Sequence, residues 1–301
     1  MAAYTVTVPA TTGNLGPGFD CLGAALSLYN RFEFAEAEEL RVTASGPGAE
    51  KIAKNKTNLV YQSLERLFDY IGRPKPVVAL DIKMQVPLSR GLGSSATAIV
   101  GGLMGANLLA GSPLERAEML RLAIETEGHP DNVVPALLGG CQLVAMQGQD
   151  WQICGLSWPK KLGVVALIPE FELSTSKARQ VLPKQVPLKD AVFNAAHLAL
   201  LTQALTTGNL EWLQAALHDR LHQPYRQSLI PGLESVREAA IAAGAIGLVI
   251  SGAGPTLLAL APTAKLEAIG TAALATWHTH DITAIAKPLT LATEGTTVQA
   301  H

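Results

Sequence analysis

The chain has 301 residues, of which 48% are hydrophobic and 16% charged, and its formal net charge is −2. A chain of this length and composition can bury one large core or two ordinary ones. Because the net charge is small and no long run of one sign occurs, we expect neither nucleic acid nor a membrane as a partner. The three cysteines are scattered and odd in number, which favours the cytoplasm over an oxidising compartment.

Two uncharged windows, residues 91–114 and 239–264, are long enough to span a membrane. Glycine and proline interrupt both windows, so we predict that these residues are buried within the protein. The first residues also lack the basic start and apolar run of a signal peptide.

The first predicted element is a strand over residues 4–8, and a loop over residues 9–20 follows it. Three glycines and prolines in this loop favour turns over regular structure. Asn14 and Asp20 are the polar side chains that the loop can direct at a ligand. The alternative is that both side chains bond to their own turn.

Two further strands, residues 31–37 and 40–44, are predicted to form a meander. Thr57 or Asn58 then caps a helix whose apolar residues fall on one face. The helix is predicted to end at Ile71, because a glycine follows.

A strand, a glycine-rich loop and an apolar helix are predicted in succession, with the strand at residues 77–85 and the loop at residues 87–97. Ser94 and Ser95 stand where the helix begins, so several backbone N–H groups have no partner within the helix. Such a helix start attracts anions, and phosphate has enough oxygens to use several donors at once. We therefore predict a phosphate site here.

The loop has three other interpretations. A P-loop needs a lysine followed by serine or threonine after its last glycine, and that pair is missing. Gly91, Gly93 and Ala96 fit the dinucleotide pattern, but residues 112–115 form a capping box that opens a helix where that fold needs a strand. A helix start without any ligand stays open as an alternative.

Chemically active side chains are crowded into residues 127–132, next to the predicted helix end at Gly128. The cluster contains Glu127, His129, Asp131 and Asn132. A structural explanation is also open, in which Asp131 or Asn132 caps the following short helix.

A polar break at residues 158–161 separates two strands, and we place a domain boundary there. The predicted domains are residues 1–158 and 159–301. The strands that lead up to and follow the break are predicted at residues 141–146, 152–156 and 162–168.

The second domain is predicted to be a split βαβ sandwich of ferredoxin type, because its last elements alternate in the order strand, helix, strand, strand, helix, strand. Arg179 and Arg226 lie beside predicted loops rather than in the middle of helices. Either arginine can be an ordinary solvated or ion-paired side chain, or it can bind an anionic group.

Three motifs stand in a fixed order, at residues 9–20, 87–97 and 251–255. Their sequences resemble the GHMP family of small-molecule kinases over essentially the whole chain. Within that family, two segments are similar to the homoserine kinase branch. They are the sequence Gly-Asn-Leu-Gly-Pro-Gly-Phe-Asp of the first motif and residues 127–132.

This resemblance implies an α+β fold of two domains, an N-terminal α/β domain like ribosomal protein S5 domain 2 and a C-terminal ferredoxin-like split βαβ domain. It also implies transfer of the ATP γ-phosphoryl group to the hydroxyl of L-homoserine, a step of threonine biosynthesis, with Mg²⁺ as the metal. A homodimer is implied by analogy.

The matching positions imply where nucleotide and metal bind. Adenine is expected near Asn58, and Mg²⁺ is expected on Ser95 and Glu127. The loop expected to hold the ATP phosphates consists of Pro87, Leu88, Ser89, Arg90, Gly91, Leu92, Gly93, Ser94, Ser95, Ala96 and Thr97. Because the loop contains no lysine, the metal and backbone N–H groups are expected to neutralise more of the phosphate charge.

The resemblance also implies an acceptor site, in which Arg179 and Arg226 bind the α-carboxylate. The residues expected at its amino group and hydroxyl are Asn14, Asp20, His129 and Asp131. Two ways of handling the hydroxyl proton stay open: Asp131 acts as base, or Asn132 orients the hydroxyl without a strong base. Asn14, Asp131 and Asn132 are accordingly the predicted catalytic residues.

Two alternative functions stay open at this stage. In one, the kinase acts on another small alcohol that carries a carboxylate, since two arginines do not say which carboxylate they bind. In the other, the scaffold senses ATP or an amino acid without catalysis, although Ser95, Glu127 and Asp131 are all present.

Overall fold

The structure is a computed structural model that describes residues 3–148 and 150–301. In chain order the strands are β1 (Ala3–Asn14), β2 (Gly18–Glu36), β3 (Arg41–Ser45), β4 (Val78–Lys83), β5 (Cys141–Gln147), β6 (Asp150–Leu156), β7 (Leu162–Pro169), β8 (Gly247–Ile250), β9 (Leu257–Pro262), β10 (Ala284–Leu289) and β11 (Thr297–Ala300). The α-helices are α1 (Leu59–Tyr70), α2 (Ser94–Leu109), α3 (Arg116–Glu127), α4 (Pro130–Leu138), α5 (Thr175–Gln180), α6 (Leu188–Thr207), α7 (Leu210–Ala216), α8 (Gln223–Arg226), α9 (Leu233–Ala242) and α10 (Leu266–His278).

The first sheet has the strand order β11-β1-β2-β4-β3, and β5 and β6 extend it from the first part of β2. Helices α2 and α4 pack on this sheet, α1 packs against α2, and α3 packs against α2 and α4. The predicted meander is wrong, because β3 pairs in parallel with β4 instead of antiparallel with β2. Parallel pairing is possible because the long connection through α1 carries the chain back to the end of the sheet at which β3 began. Strand β4 then runs in the same direction as β3.

The predicted loop over residues 9–20 is largely extended, which corrects the sequence interpretation. Strand β1 continues to Asn14 and β2 begins at Gly18, and β1 pairs with β2 up to Asn14, although residues 19–22 of β2 have no partner on β1. Shifts of register after Pro9 and Gly13 accommodate residues that sequence rules exclude from strands. The tight turn that remains places the end of β1 beside the start of α4.

Helix α2 lies at the centre of the first domain and is buried on most sides. Its glycines allow other elements to approach closely: Cβ atoms at Gly101 and Gly105 would collide with the rings of Phe32 and Phe34. The uncharged window 91–114 is therefore a helix of the protein interior, as its composition predicted. None of the helices within residues 3–148 and 150–301 is long and apolar enough to cross a bilayer.

The second sheet is antiparallel, with the strand order β10-β7-β9-β8. Helices α9 and α10 pack on one face of it, which gives the predicted split βαβ arrangement. The last strand, β11, does not join this sheet but pairs with β1 of the first one. The proposed boundary after residue 158 stays a prediction, and the chain contributes to the first sheet again at its last strand.

Candidate active site

A cleft of about 140 Å³ lies where the starts of α2 and α4 meet loops of the second sheet. Predicted residues that line it are Asn14, Asp20, Ser89, Gly91, Gly93, Ser94, Ser95, Glu127, His129, Asp131, Asn132, Arg179 and Arg226. The lining that sequence reasoning had not assigned consists of Leu173, Thr175, Gly252, Ala253 and Gly254. The three glycine motifs therefore converge on one place.

Helix α2 begins in the cleft, and Gly93 is its N-cap residue. Gly93 has a φ of 68°, and a Cβ there would lie 2.0 Å from the Thr11 hydroxyl. Only glycine fits such a position. The N–H groups of the first turn are free of helical partners and open towards the cleft. This arrangement suits phosphate oxygens.

The other loop residues lie outside the cleft. Leu92, Ala96 and Thr97 are buried, and the Thr97 hydroxyl accepts a hydrogen bond from Asn30 over 2.9 Å. Leu88 lines a smaller cavity of about 50 Å³. Pro87 belongs to neither set of lining residues.

The side chain of Arg90 also turns away from the cleft. Its Nε donates to the carbonyl of Pro169 over 2.8 Å, and a terminal nitrogen donates to the carbonyl of Glu170. The loop's one cation therefore ties the loop to the end of β7. The phosphate-facing surface is made of backbone and hydroxyl groups.

The smaller cavity lies next to the start of α1, where Asn58 is the N-cap residue. Its carboxamide oxygen accepts from the N–H groups of Val60 and Tyr61, and its nitrogen donates to the carbonyl of Ala53 over 2.8 Å. The predicted adenine neighbour is thus fully engaged in shaping the cavity wall. Its influence on a ligand would come through that shape.

The two predicted metal ligands, Ser95 and Glu127, are in contact beside the first turn of α2. The Ser95 hydroxyl donates to Glu127 Oε2 over 2.9 Å. Burial raises the pKa of the Glu127 carboxyl, against the opposing effects of His129 and Ser95. A carboxylate and a hydroxyl are hard oxygen donors of the kind that Mg²⁺ prefers, so this pair fits the ion.

A second group of ligand atoms, from Asp20, His129 and Asp131, lies within 4.8 Å of one another. The His129 Nδ1 and Asp131 Oδ1 are 2.6 Å apart. Burial alone would lower the pKa of His129, but the hydrogen bond and charge of Asp131, with that of Glu127, raise this pKa. A metal here would have to displace the pairs that Asp131 forms with His129 and Asp20 with Arg179, whereas at Ser95 and Glu127 it would displace one hydrogen bond, so that last pair fits a metal better.

Asp20 and Arg179 form a two-pronged ion pair, with nitrogen–oxygen distances of 2.8 and 2.9 Å. The two side chains come from residues 159 positions apart and are only partly exposed. The sequence predicted both for the acceptor site but not that they bind each other. An incoming zwitterion would present one charge for each member of the pair.

Arg226 is 1% exposed and sits deeper in the same wall. One terminal nitrogen donates to the carbonyl of Gly252 over 3.0 Å, and Nε donates to the carbonyl of Ala178 over 3.2 Å. Burial, followed by the charge of Arg179, lowers the pKa of Arg226 to about 10. The guanidinium remains charged near neutrality and therefore calls for an anion.

The buried side chain of His222 forms a hydrogen bond with Arg226. Burial lowers the pKa of His222, so its neutral ring can donate from Nε2 to the carbonyl of Gly16 and accept at Nδ1 from Arg226. The two distances are 2.7 and 3.2 Å. Sequence reasoning missed His222, although it stands in the same short segment as Arg226.

Asn14, a predicted catalytic and substrate-binding residue, lines the cleft and forms hydrogen bonds within the protein. Its nitrogen donates to the carbonyl of Gly252, and its oxygen accepts the N–H of Asp20, both over 2.9 Å. Because its polar atoms hold the turn and the 251–255 loop, the residue fixes the position of Asp20.

Asp131 and Asn132 belong to the first turn of α4, and both are largely buried. A Cβ at Gly13 would lie 2.1 Å from Asp131 Oδ2 and 2.8 Å from Asn132 Nδ2. The missing side chain of Gly13 therefore allows both groups to approach β1. The capping alternative is not needed, because the N-cap residue of α4 is His129.

Comparison with known proteins defines the class. The models for the GHMP kinases N terminal domain and the GHMP kinases C terminal domain match residues 58–140 and 201–279. The chain belongs to the GHMP kinase family and is a small-molecule phosphotransferase. The predicted two-domain fold is thereby confirmed.

Individual relatives of this chain give a more specific comparison than the family models do. The chain is 53% identical to a homoserine kinase from Crocosphaera subtropica, over 100% of this chain and 99% of that protein. It is 57% identical to one from a Synechococcus strain, over 98% and 97% of the two chains. A crystal structure of homoserine kinase from Cytophaga hutchinsonii has a TM-score of 0.90 and 30% identity, over 99% of this chain and 97% of that one.

Proposed function

We propose that this protein transfers the γ-phosphoryl group of ATP to the side-chain hydroxyl of L-homoserine, forming O-phospho-L-homoserine. The observation that carries the proposal is a single cleft with an anion-binding helix start at one end and Arg179, Arg226 and Asp20 at the other. The identity of 53–57% to homoserine kinases supports the choice of acceptor. Membership of a kinase family makes ATP the co-substrate.

At the nucleotide end, the ATP phosphates would rest on the start of α2, where Ser94 and Ser95 offer backbone N–H groups. Mg²⁺ would bind Ser95 and Glu127 and supply charge neutralisation for the phosphates. Asn58 and Leu88 line the small cavity expected to receive adenine. Phosphoryl transfer depends mainly on positioning and electrostatic stabilisation, which these groups can supply.

At the acceptor end, the zwitterionic part of homoserine would replace the internal ion pair. Its carboxylate would take the donors of Arg179 and the remaining terminal nitrogen of Arg226, which has no hydrogen bond within residues 3–148 and 150–301. Its amino group would take the carboxylate of Asp20. The buried charge of Arg226 would then be neutralised by the substrate.

The hydroxyl of homoserine would lie between the phosphates and α4. Asp131 can accept its proton as a base, while His129 holds the carboxylate in place from 2.6 Å. Alternatively, Asn132 orients the hydroxyl, and the proton leaves late without a strong base. A rate comparison of Asp131→Asn and Asn132→Leu variants would separate these two roles.

The proposal is tested by measuring ADP release with a panel of alcohols. Homoserine should be turned over with a kcat/KM at least about 10²-fold above those of mevalonate and shikimate, which lack the α-amino group. Mass spectrometry should find the phosphate on the side-chain oxygen. Turnover of mevalonate or shikimate in preference to homoserine would refute the acceptor assignment.

Two further parts of the proposal concern the state of the protein in the cell. We expect a homodimer, by analogy with the homoserine kinases, acting in the cytoplasm. Light scattering after size-exclusion chromatography would show a mass near twice that of one chain. A single-chain mass at micromolar concentration would contradict the dimer.

A further inference from the structure

Thr11 lies on β1 between the phosphate loop and the start of α4, and none of its surface is exposed. Its N–H donates to the carbonyl of Leu92 in the phosphate loop over 3.2 Å. Its hydroxyl donates to Asn132 Oδ1 over 2.9 Å. Gly93 packs directly against this hydroxyl, since a Cβ at Gly93 would lie 2.0 Å from it. One buried residue therefore contacts both sides of the cleft.

The hydrogen bond from Thr11 decides which way the Asn132 carboxamide faces. The last torsion of an asparagine side chain is broad and nearly two-fold, so an unsupported carboxamide samples several orientations. Because its oxygen is held by Thr11, the carboxamide of Asn132 directs its NH₂ group away from Thr11. That group has no hydrogen bond within residues 3–148 and 150–301, and Asn132 lines the cleft.

The orientation matters because an NH₂ group only donates, whereas a carboxamide oxygen only accepts. An amide donor beside the phosphates can stabilise negative charge that develops on the transferring group or align the attacking oxygen. An amide oxygen turned into the same place would repel the phosphate oxygens. The hydroxyl of Thr11 therefore matters for chemistry although it does not line the cleft.

We propose that Thr11 is a positioning residue for phosphoryl transfer: its hydroxyl holds the Asn132 NH₂ group towards the reacting atoms, while its backbone fixes the phosphate loop. This inference rests on the proposed kinase activity. It assigns no contact between Thr11 and either substrate. Substrate binding is left to Arg179, Arg226, Asp20 and the α2 start.

The decisive comparison uses Thr11→Val and Thr11→Ser. Valine keeps the branched shape and removes the hydroxyl, so kcat should fall about 10- to 100-fold because a loosely held group loses alignment. The KM values for ATP and homoserine should change less than about twofold, since ground-state contacts remain. Serine keeps the hydroxyl and should restore kcat to within about threefold of the wild type. Thr11→Ala replaces valine should the latter fail to fold.

Thr5→Val is the matched control. Thr5 lies on the same strand, is buried, and bonds through its hydroxyl to His301 rather than to the cleft. Its kcat and KM values should equal those of the wild type. Thermal melting of every variant separates a loss of rate from a loss of folded protein.

A double-mutant cycle then tests whether Thr11 acts through Asn132. In an Asn132→Leu background, Thr11→Val should cost no further kcat, because the group that it positions is gone. Equal losses in both backgrounds would overturn the inference, as would an unchanged kcat in Thr11→Val. A wild type that releases no ADP with homoserine overturns the proposed function as well. Normal wild-type turnover with an unaffected Thr11→Val enzyme refutes the positioning role alone.

Discussion

The two ends of the cleft consist of different kinds of chemical group. The nucleotide end consists of backbone N–H groups, glycines and hydroxyls, and its arginine, Arg90, points away. The acceptor end consists of charged side chains that pair with one another, among them Asp20 with Arg179 and His129 with Asp131. A phosphate chain common to many kinases is met by backbone geometry, whereas a particular acceptor is met by side chains.

This difference predicts different consequences of mutation. Backbone donors survive every substitution except one by proline, so the nucleotide end should otherwise be vulnerable mainly at Glu127 and at positions where a Cβ does not fit. Charged side chains can be removed one at a time, and each removal should weaken acceptor binding without affecting ATP.

The largest expected effect is at Glu127, the carboxylate at the border of the two ends. Glu127→Gln keeps the shape and removes the charge that would hold Mg²⁺, so kcat/KM should fall at least about 10³-fold. The Mg²⁺ concentration for half-maximal rate should rise. Steady-state ADP release over a Mg²⁺ titration measures both.

Glu125→Gln is the control for this change. Glu125 lies on the same helix and pairs with Arg121 at the surface, 3.0 Å away. Its loss should leave the Mg²⁺ dependence as it is. If Glu127→Gln retained the wild-type response to Mg²⁺, the metal assignment would be wrong.

The next largest effect should come from Arg226→Met, which removes the buried cation of the acceptor end. The KM for homoserine should rise roughly 10²-fold, the cost of losing hydrogen bonds to a charged group, with the KM for ATP unchanged. Arg179→Met should cost less, because Arg179 is more exposed and its removal also frees Asp20.

Arg220→Met provides the comparison for both arginines, since Arg220 pairs with Asp190 at the surface over 3.2 Å. Its KM for homoserine should stay at the wild-type value. An equal rise of the ATP and homoserine KM values in Arg226→Met would show that the two ends are not separate.

A smaller effect is expected from Gly13→Ala, where the two ends meet. The new Cβ would lie 2.1 Å from Asp131 Oδ2, so the carboxylate must move. We expect kcat to fall about tenfold by misplacement of the acceptor hydroxyl. Gly155→Ala is the control, because a Cβ there has no neighbour closer than 3.8 Å. Equal kcat values for the two variants would contradict this account.

The smallest expected effect concerns the reactivity of the Cys21 thiol, which lies close to the negative charges of the acceptor end. Burial, followed by the charges of Asp131 and Asp20, raises the pKa of Cys21 to about 11. Because the thiolate is the reactive form, iodoacetamide at pH 8 should modify exposed Cys154 well before Cys21. The rate at Cys21 should rise as the pH approaches 11, and Asp20→Asn should accelerate it slightly. Peptide mass spectrometry follows both sites, and equal rates at pH 8 would be the contrary result.

The same contrast explains what could be predicted from the sequence. The phosphate loop was predicted from local chemistry, because glycines, serines and a helix start lie within a few residues of one another. The metal role of Glu127 was predicted from the family resemblance, since Glu127 lies 32 positions after Ser95. The charged residues of the acceptor end were singled out, but the pairing of Asp20 with Arg179 depends on two segments that meet only in the fold.

Several features lay beyond local rules for stated physical reasons. The parallel pairing of β3 with β4 depends on the return of a long connection. The direction of Arg90 depends on carbonyl groups at the end of β7. Thr11 fell within a stretch predicted to be a loop, and only its neighbours in the fold, Gly93 and Asn132, give it a role.

The pairing of β11 with β1 has a consequence for how the protein is made. During translation, the first sheet can recruit β1 to β6 early, but one edge of β1 stays open until residues 297–300 have left the ribosome. An open strand edge is a template for wrong partners. The nascent first domain should therefore need shielding while the second domain is synthesised.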